Sequence, residues 1–241
     1  MPDKRKHRGP HPNDAKLFAP KWHPILREAV HDWSWLRTRG YAETAALKVV
    51  GDRYRLTARQ RQAVRAAGCS EEQLVNRKKS EVSLPESKGR SIAIDGFNLI
   101  ITTESALSGG YLFRGRDGCL RDLASVHGTY RRVEETTTSI RLIGELLERA
   151  EVGEVIWFLD RPVSNSGRLK TILRELAEAD NWPWQIELVN NPDATMIAEP
   201  VVGSTLVSAD ALVLDGARQW VNLGAAVVEQ IAEARVIDLA K

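Results

Sequence analysis

Three short apolar runs in this chain each stop at an aspartate. Ser91-Ile-Ala-Ile-Asp95 is followed by Gly96, Phe97 and Asn98. Glu154-Val-Ile-Trp-Phe-Leu-Asp160 repeats the pattern, and Thr205-Leu-Val-Ser-Ala-Asp210 repeats it again with Ser208 two places before the acid. Runs of this length and character are expected for buried strands of a parallel sheet. Such sheets gather ligands at the carboxyl ends of their strands. The pattern therefore predicts an α/β fold in which Asp95, Asp160 and Asp210 share one edge. Gly96 lets the backbone turn there without a side chain in the way.

A single aspartate at a strand end is commonly a helix cap. Three converging carboxylates repel one another and ask for a compensating cation. Hard divalent ions such as Mg²⁺ take oxygen ligands of this kind. Asn98 reaches back toward the same crevice as a neutral oxygen, and Ser208 stands beside Asp210.

Asp95-Gly-Phe-Asn98 resembles the first acidic motif of PIN-like nucleases, above all their NYN branch. Val207-Ser-Ala-Asp210 resembles that branch's Ser-Gly-Asp element. Asn191-Pro-Asp193 sits where the branch carries an acid after a middle strand. The resemblance covers about the last two thirds of the chain. The whole chain also resembles an uncharacterised prokaryotic family with a small helical domain in front. It implies a PIN-like, mostly parallel sheet flanked by helices. It also implies Mg²⁺ or Mn²⁺ held by Asp95, Asp160, Asp210 and Asp193, with Asn98 and Ser208 completing or orienting the shell. Asp95, Asp160 and Asp210 would carry catalysis. Two places depart from the pattern. Leu212 stands where the branch has a second acid, and the lysine before the middle-strand acid is absent. Asp215 is five residues beyond Asp210, on a different helical face.

Charge divides the chain. Residues 1–88 hold 19 Lys+Arg against 10 Asp+Glu, a net +9, and the remainder holds 15 against 22, a net −7. That asymmetry suits a polyanion-binding module joined to a metal-binding one, and equally an electrostatic docking of the two. Residues 1–18 read as a basic disordered tail. Residues 19–80 read as a small all-α domain. Its helices span Pro24 to Arg39, Glu43 to Val50, Ala58 to Ala67 behind the cap Thr57, and Ser70 to about Lys79. Trp22, Trp33 and Trp35 are expected in its core. Arg53, Arg55, Arg59, Arg61 and Arg65 on and before the third helix invite a helix-turn-helix reading. Contact with backbone phosphates fits them better than base reading. Residues 81–90, with Pro85 and Gly89, read as a linker, and residues 91–241 as the PIN-like α/β domain.

Within that domain Thr102 to Tyr111 is a polar run with a loop at Gly109-Gly110, and 120–130 reads as helical. Either Arg121 forms a surface pair with Asp122, or Arg114, Arg116 and Arg121 make a phosphate-contacting wall beside the acidic crevice. Glu104 and Asp117 are further candidate ligands. Ser139 to Ala150 is an amphipathic helix suited to a right-handed crossover. Ser164, Asn165, Ser166 and Gly167 open the next helix, Leu169 to Ala179, between Arg161 and Arg168. They form either an anion site or an ordinary Ser/Asn cap. Gln185 to Val189 and Val201 to Val207 read as strands. Trp220 to Ala232 reads as a helix and Arg235 to Leu239 as a final edge strand.

The expected function is metal-dependent cleavage of RNA phosphodiesters, with DNA the other candidate substrate. The rival is a nucleic-acid-binding adaptor whose PIN-like domain has lost catalysis. A phosphatase of the haloacid-dehalogenase type needs a second aspartate two places after the first, where this chain has Phe97. Cys69 and Cys119 form no metal or redox motif, and no apolar run approaches ~20 residues. A reduced, cytoplasmic protein without a membrane span is expected, and a homo-oligomer is compatible with the sequence.

Overall fold

The structure is a computed structural model that describes residues 7–124, 130–198 and 203–241. The helices are α1 Asp14–Leu17, α2 His23–Thr38, α3 Glu43–Arg53, α4 Ala58–Ala67 and α5 Glu71–Ser80. They continue as α6 Gly96–Leu107, α7 Thr136–Arg149, α8 Ser166–Ala179, α9 Pro192–Ile197, α10 Ala211–Gly216 and α11 Leu223–Val228. The strands are β1 Ile92–Asp95, β2 Tyr111–Arg114, β3 Leu120–Arg121, β4 Val155–Asp160, β5 Trp184–Val189, β6 Thr205–Val207 and β7 Arg235–Asp238. No described helix is long and apolar enough to cross a membrane.

The main sheet has the order β5-β4-β1-β6 and every pairing in it is parallel. Alternation along each strand explains why both faces are covered. Ile92, Ile94, Trp157, Leu159, Ile186 and Val207 pack with α6, α7, α8 and α11. Ala93, Phe158 and Leu206 point the other way and pack with Met196 of α9, Val213 and Leu214 of α10, and Trp220. This α/β unit with helices on both faces is the architecture expected from the apolar runs. Gly96 has a different role from the one expected. Its φ is not positive. A Cβ there would lie 2.5 Å from Leu159 Cδ2 and 3.1 Å from the Phe158 carbonyl oxygen, so the position is small because β4 passes close by.

The second sheet, β3-β2-β7, pairs β2 with β7 in parallel and β2 with β3 in antiparallel fashion. It ties the helical part to the rest. Phe113 of β2, with Ile237 and Leu239 at the chain's end, joins the same buried cluster as Phe18, Leu26, Trp33, Val50 and Val64. The helical residues therefore complete their core with strands from the far end of the chain.

Several expectations are corrected here. Residues 1–6 lie outside the described residues, but 7–18 are packed. Phe18 is buried, and the carboxylate of Asp14 pairs with the Arg59 guanidinium. The 81–90 segment is docked rather than free. Val82 N–H donates to the Trp220 carbonyl at 2.8 Å, Gly89 N–H donates to Glu151 at 2.8 Å, and Ser87 is buried. Trp220 bridges Leu206 and Glu81, so it covers the edge of β6 that would otherwise lie open. The polar run Thr102 to Leu107 is the buried second half of α6, held in part by the Thr103 hydroxyl donating to the Leu99 carbonyl. Position 120 begins a strand, and 125–129 lie outside the described residues, as do 201 and 202 of the strand expected over Val201 to Val207. The final helix is short, Leu223–Val228, and Trp35 is 47% exposed.

Candidate functional site

Because all four strands of the main sheet run the same way, their carboxyl ends share one edge. Each presents an aspartate there. In spatial order they are Asp193 just after β5, Asp160 ending β4, Asp95 ending β1 and Asp210 just after β6. All four line one cleft of about 730 Å³.

Asp95 forms the buried floor, only 7% exposed. Its Oδ1 accepts the Asn98 backbone N–H at 3.3 Å, capping α6, and its Oδ2 accepts the Ser208 hydroxyl at 2.9 Å. The same Ser208 oxygen accepts the Asp210 N–H at 3.0 Å, and Asn98 Oδ1 accepts the Ala209 N–H at 2.9 Å. These bonds lace the end of β1 to the end of β6. Asn98 and Ser208 thus orient the acids. Asp210 caps α10 by accepting the Leu212 N–H at 2.8 Å. Cap and site are therefore not alternatives at Asp95 and Asp210, because both side chains cap a helix and also line the cleft.

Burial pushes the Asp95 carboxyl up to about 7, against the bonds from Ser208 and Asn98, and Asp193 and Asp210 add repulsion. Asp193 is raised by burial and then by Asp210 and Asp160, and Asp160 is raised by burial. The four acids thus feel one another. Among the described residues, however, no three carboxylate, imidazole or thiol groups stand close enough to form a ready-made metal cage. The donor set still fits a hard cation. It offers only oxygen, and Mg²⁺ characteristically takes one or two carboxylates and keeps several waters. It does not fit Zn²⁺, which favours His and Cys donors that are absent from this cleft.

Most of the expected substrate-binding arginines are engaged elsewhere. Arg121 lines the cleft, but its guanidinium forms two bonds to Asp117 and one to the Ala209 carbonyl. Arg116 bonds the Cys69 carbonyl and Glu71, while Arg114 bonds the Gly118 carbonyl and lies 3.8 Å from Glu229. Arg161 donates to the Leu188 carbonyl. Of the loop before α8, the Ser164 carbonyl and the Asn165 amide bond the Tyr130 backbone, and Ser166 is buried with its hydroxyl on the Arg161 carbonyl. Gly167 and Arg168 are exposed, and none of 164–168 lines the cleft. Asn165 adopts φ 70° and its side chain caps no N–H, so this loop is neither the ordinary cap nor a wall of the acidic cleft.

Glu104 and Asp117 are not ligands of this site. Glu104 is fully buried and bonded by Tyr130, Thr136 and Arg8. Asp117 is held between Arg77 and Arg121. Asp215 is engaged by Arg77 and Gln73, in keeping with its different helical face. In the helical part, Arg59 pairs with Asp14, Arg61 with Asp52 and Arg53 with Asp32, so that cluster is largely internal.

Sequence placed Trp33 in the helical core and Arg65 among arginines suited to backbone phosphates, but brought neither to this cleft. Trp33 and Arg37 of α2 and Gln62, Arg65 and Ala66 of α4 line it together with the aspartates, as does Asp122. Trp33 and Arg37 are four apart on one helix face, which was a legible signal, but only the fold shows that this face meets the cleft.

A protein of Methanocaldococcus jannaschii, Uncharacterized protein MJ0935, is 30% identical over 180 residues, spanning 75% of this chain and 86% of its own. The model of a family described as Protein of unknown function (DUF434) matches residues 25–79, the helical wall of the cleft. No solved structure matches the chain. The family described as Domain of unknown function (DUF5616) matches residues 84–226, which include all four aspartates and the docked segment before β1, and the chain belongs to that family.

Proposed function

We propose that this protein is a metal-dependent nuclease with a PIN-like α/β unit, cleaving RNA phosphodiester bonds. One observation carries the reading: four aspartates, each at or just beyond the carboxyl end of a different strand of a parallel sheet, line a single cleft whose candidate metal donors are oxygens. Asp95, Asp160, Asp193 and Asp210 would hold Mg²⁺ or Mn²⁺, directly or through water. The bound ion would supply an activated water and neutralise charge on the leaving oxygen.

The chain's own residues prepare that site. Ser208 and the Asn98 N–H fix the two oxygens of Asp95, and each oxygen keeps a lone pair for the cleft. Burial of Asp95 disfavours its charged form, so a cation arriving there relieves an existing penalty. Asn98 fixes the chain before Asp210 through the Ala209 N–H.

A second reading, a nucleic-acid-binding adaptor without catalysis, is favoured by Leu212. It is 57% exposed at the place where the resemblance expects an acid. Incubating purified protein with Mn²⁺ and short single-stranded RNA or DNA separates the two. The nuclease reading expects metal-dependent cleavage that Asp95→Asn and Asp210→Asn abolish, together with saturable Mn²⁺ binding weakened by Asp210→Asn. Binding of RNA without cleavage at any Mn²⁺ concentration selects the adaptor.

A further inference from the structure

We infer that the helical wall of the cleft is the docking site for a single-stranded polynucleotide, with Arg37 of α2 and Arg65 of α4 holding its backbone phosphates opposite the aspartates. This rests on the nuclease reading only for what happens after binding.

Three observations point to a ligand on this wall. First, α2 carries three buried polar atoms with no partner: Trp33 Nε1, Ser34 Oγ and Arg37 Nε. They fall within two adjacent turns, and Trp33 and Arg37 line the cleft. A buried donor left unbonded is costly, so a cluster of three signals groups that a ligand completes. Second, the wall sets two arginines opposite the acidic edge, one of them shared with Glu43, which also lines the cleft. Among the described residues, Arg37 bonds the Tyr41 carbonyl through Nη1, and the Arg65 side chain, 58% exposed, meets Glu43 at 3.5 Å. The other cleft arginines, Arg77 and Arg121, are buried in ion pairs. A polyanion lying between the two walls would meet Arg37 and Arg65 on one side and a cation-binding edge on the other.

Third, size sets the class. A cleft of about 730 Å³ is in the range of roughly 300–1,000 Å³ that encloses one small ligand. It has room for a nucleotide or two of an extended strand. The Trp33 ring lies beside Arg37, whose guanidinium carbon is 5.8 Å from the ring centroid. The ring is itself only 4% exposed, so it backs the guanidinium from within the helical core and leaves Arg37 to meet a phosphate.

The test measures binding of fluorescein-labelled single-stranded RNA and DNA to the full chain by anisotropy in EDTA, so that no cleavage occurs. Inorganic phosphate competes in a separate arm. Arg37→Gln and Arg65→Gln are each expected to weaken binding about tenfold, the loss of one charge-assisted bond. Each should also reduce the slope of log K against log salt by about 0.7, one displaced counterion for a single strand. Arg174→Gln, an exposed arginine on α8, is the control and should change neither. Arg65 is exposed, so its variant keeps the test open if Arg37→Gln fails to fold. If the Arg65→Gln and folded Arg37→Gln proteins bind with wild-type affinity and slope, the wall is not the docking site, even if Mn²⁺-dependent cleavage is observed. If the wild type binds no single strand, or if phosphate alone competes at the strand's own affinity, the inference also falls. Binding that depends on both arginines, with no cleavage in Mn²⁺, leaves the wall standing and removes the nuclease reading instead.

Discussion

At residue scale the contest is between Asp95 as scaffold and Asp95 as ligand, and pH separates them. Burial lifts its carboxyl from an ordinary 3.8 to about 7. Between those values the native state keeps a proton that the unfolded chain has released, so metal-free stability falls as pH rises through that window. The contribution is present below about pH 4 and lost above about pH 7, on the order of a few kcal/mol. Asp95→Asn has no proton to lose. It should therefore flatten the part of the decline that Asp95 causes and melt at or above the wild-type temperature in EDTA at neutral pH. Thermal melts in EDTA across this range check it, and an Asn variant that melts lower at pH 7.5 makes Asp95 a scaffold residue. Its neighbour Gly96 gives a prediction of opposite sign. Gly96→Ala would push a Cβ to 3.1 Å from the Phe158 carbonyl oxygen and 2.5 Å from Leu159. The side chain can shift but the β4 backbone cannot do so easily. A loss of about 1–3 kcal/mol is expected, read as a lower Tm in metal-free buffer. The strand-end aspartates were legible because their pattern is local. The reason for Gly96 was not, because it lies in β4, some sixty residues away.

At the scale of elements, one buried charge network joins α5, the turn between β2 and β3, and α10. Arg77 reaches Asp117 at 2.6 Å and Asp215 at 2.7 Å, and Arg121 closes a second pair on Asp117. Arg121 also holds the Ala209 carbonyl next to Asp210. Burial opposes the charge on Asp117, but the two arginines hold its carboxyl below the usual range. Replacing Asp117 by Ala leaves the Arg121 guanidinium buried with no carboxylate and the Arg77 guanidinium with Asp215 alone. Removing one member of such a group typically costs about 3–5 kcal/mol. Chemical denaturation should show a loss of this size, and Arg121→Met combined with Asp117→Ala should lose less than the sum of the two. A loss under about 1 kcal/mol, the worth of an exposed pair, would mean the network is wetter than its burial implies. Composition offered no warning of this. In sequence Arg121 reads as a surface pair or a phosphate contact and Asp117 as a candidate ligand, and only the pairing of β2 with β3 turns them inward. The helices with local stop and start signals were legible to within a few residues, for Thr57 and Ser70 complete capping boxes with Gln60 and Gln73.

At the scale of the whole molecule, the charge asymmetry suggested two modules joined by a linker, and the core rules out treating them as independent. Phe113 packs edge-on against Phe18 with ring centroids 4.7 Å apart, and both sit in one buried cluster with Leu26, Val64, Ile237 and Leu239. The chain's last strand, β7, therefore joins the helical core beside β2, and Arg27 of α2 donates to its Asp238 carbonyl. Sequence could not show this, since the contacts join residues 18, 113 and 237. If the helical part were a separate domain, calorimetry would resolve two transitions, and a core change in one part would leave the other's melting unaltered. The shared cluster requires one transition. Phe113→Ala is expected to cost about 3–5 kcal/mol and, at about 2–4 °C per kcal/mol for a chain of this size, to lower the single Tm by roughly 6–20 °C. The helical signal and the near-ultraviolet signal of the sheet tryptophan Trp157, buried in the main sheet, should shift together. A fragment beginning at Ser91 should by the same argument expose the face of β2 and β7 and bind a hydrophobic dye. Two separate transitions in the intact chain, with Phe113→Ala moving only one, would return the helical part to the status of an appended module. The cleft would then have one wall free to move.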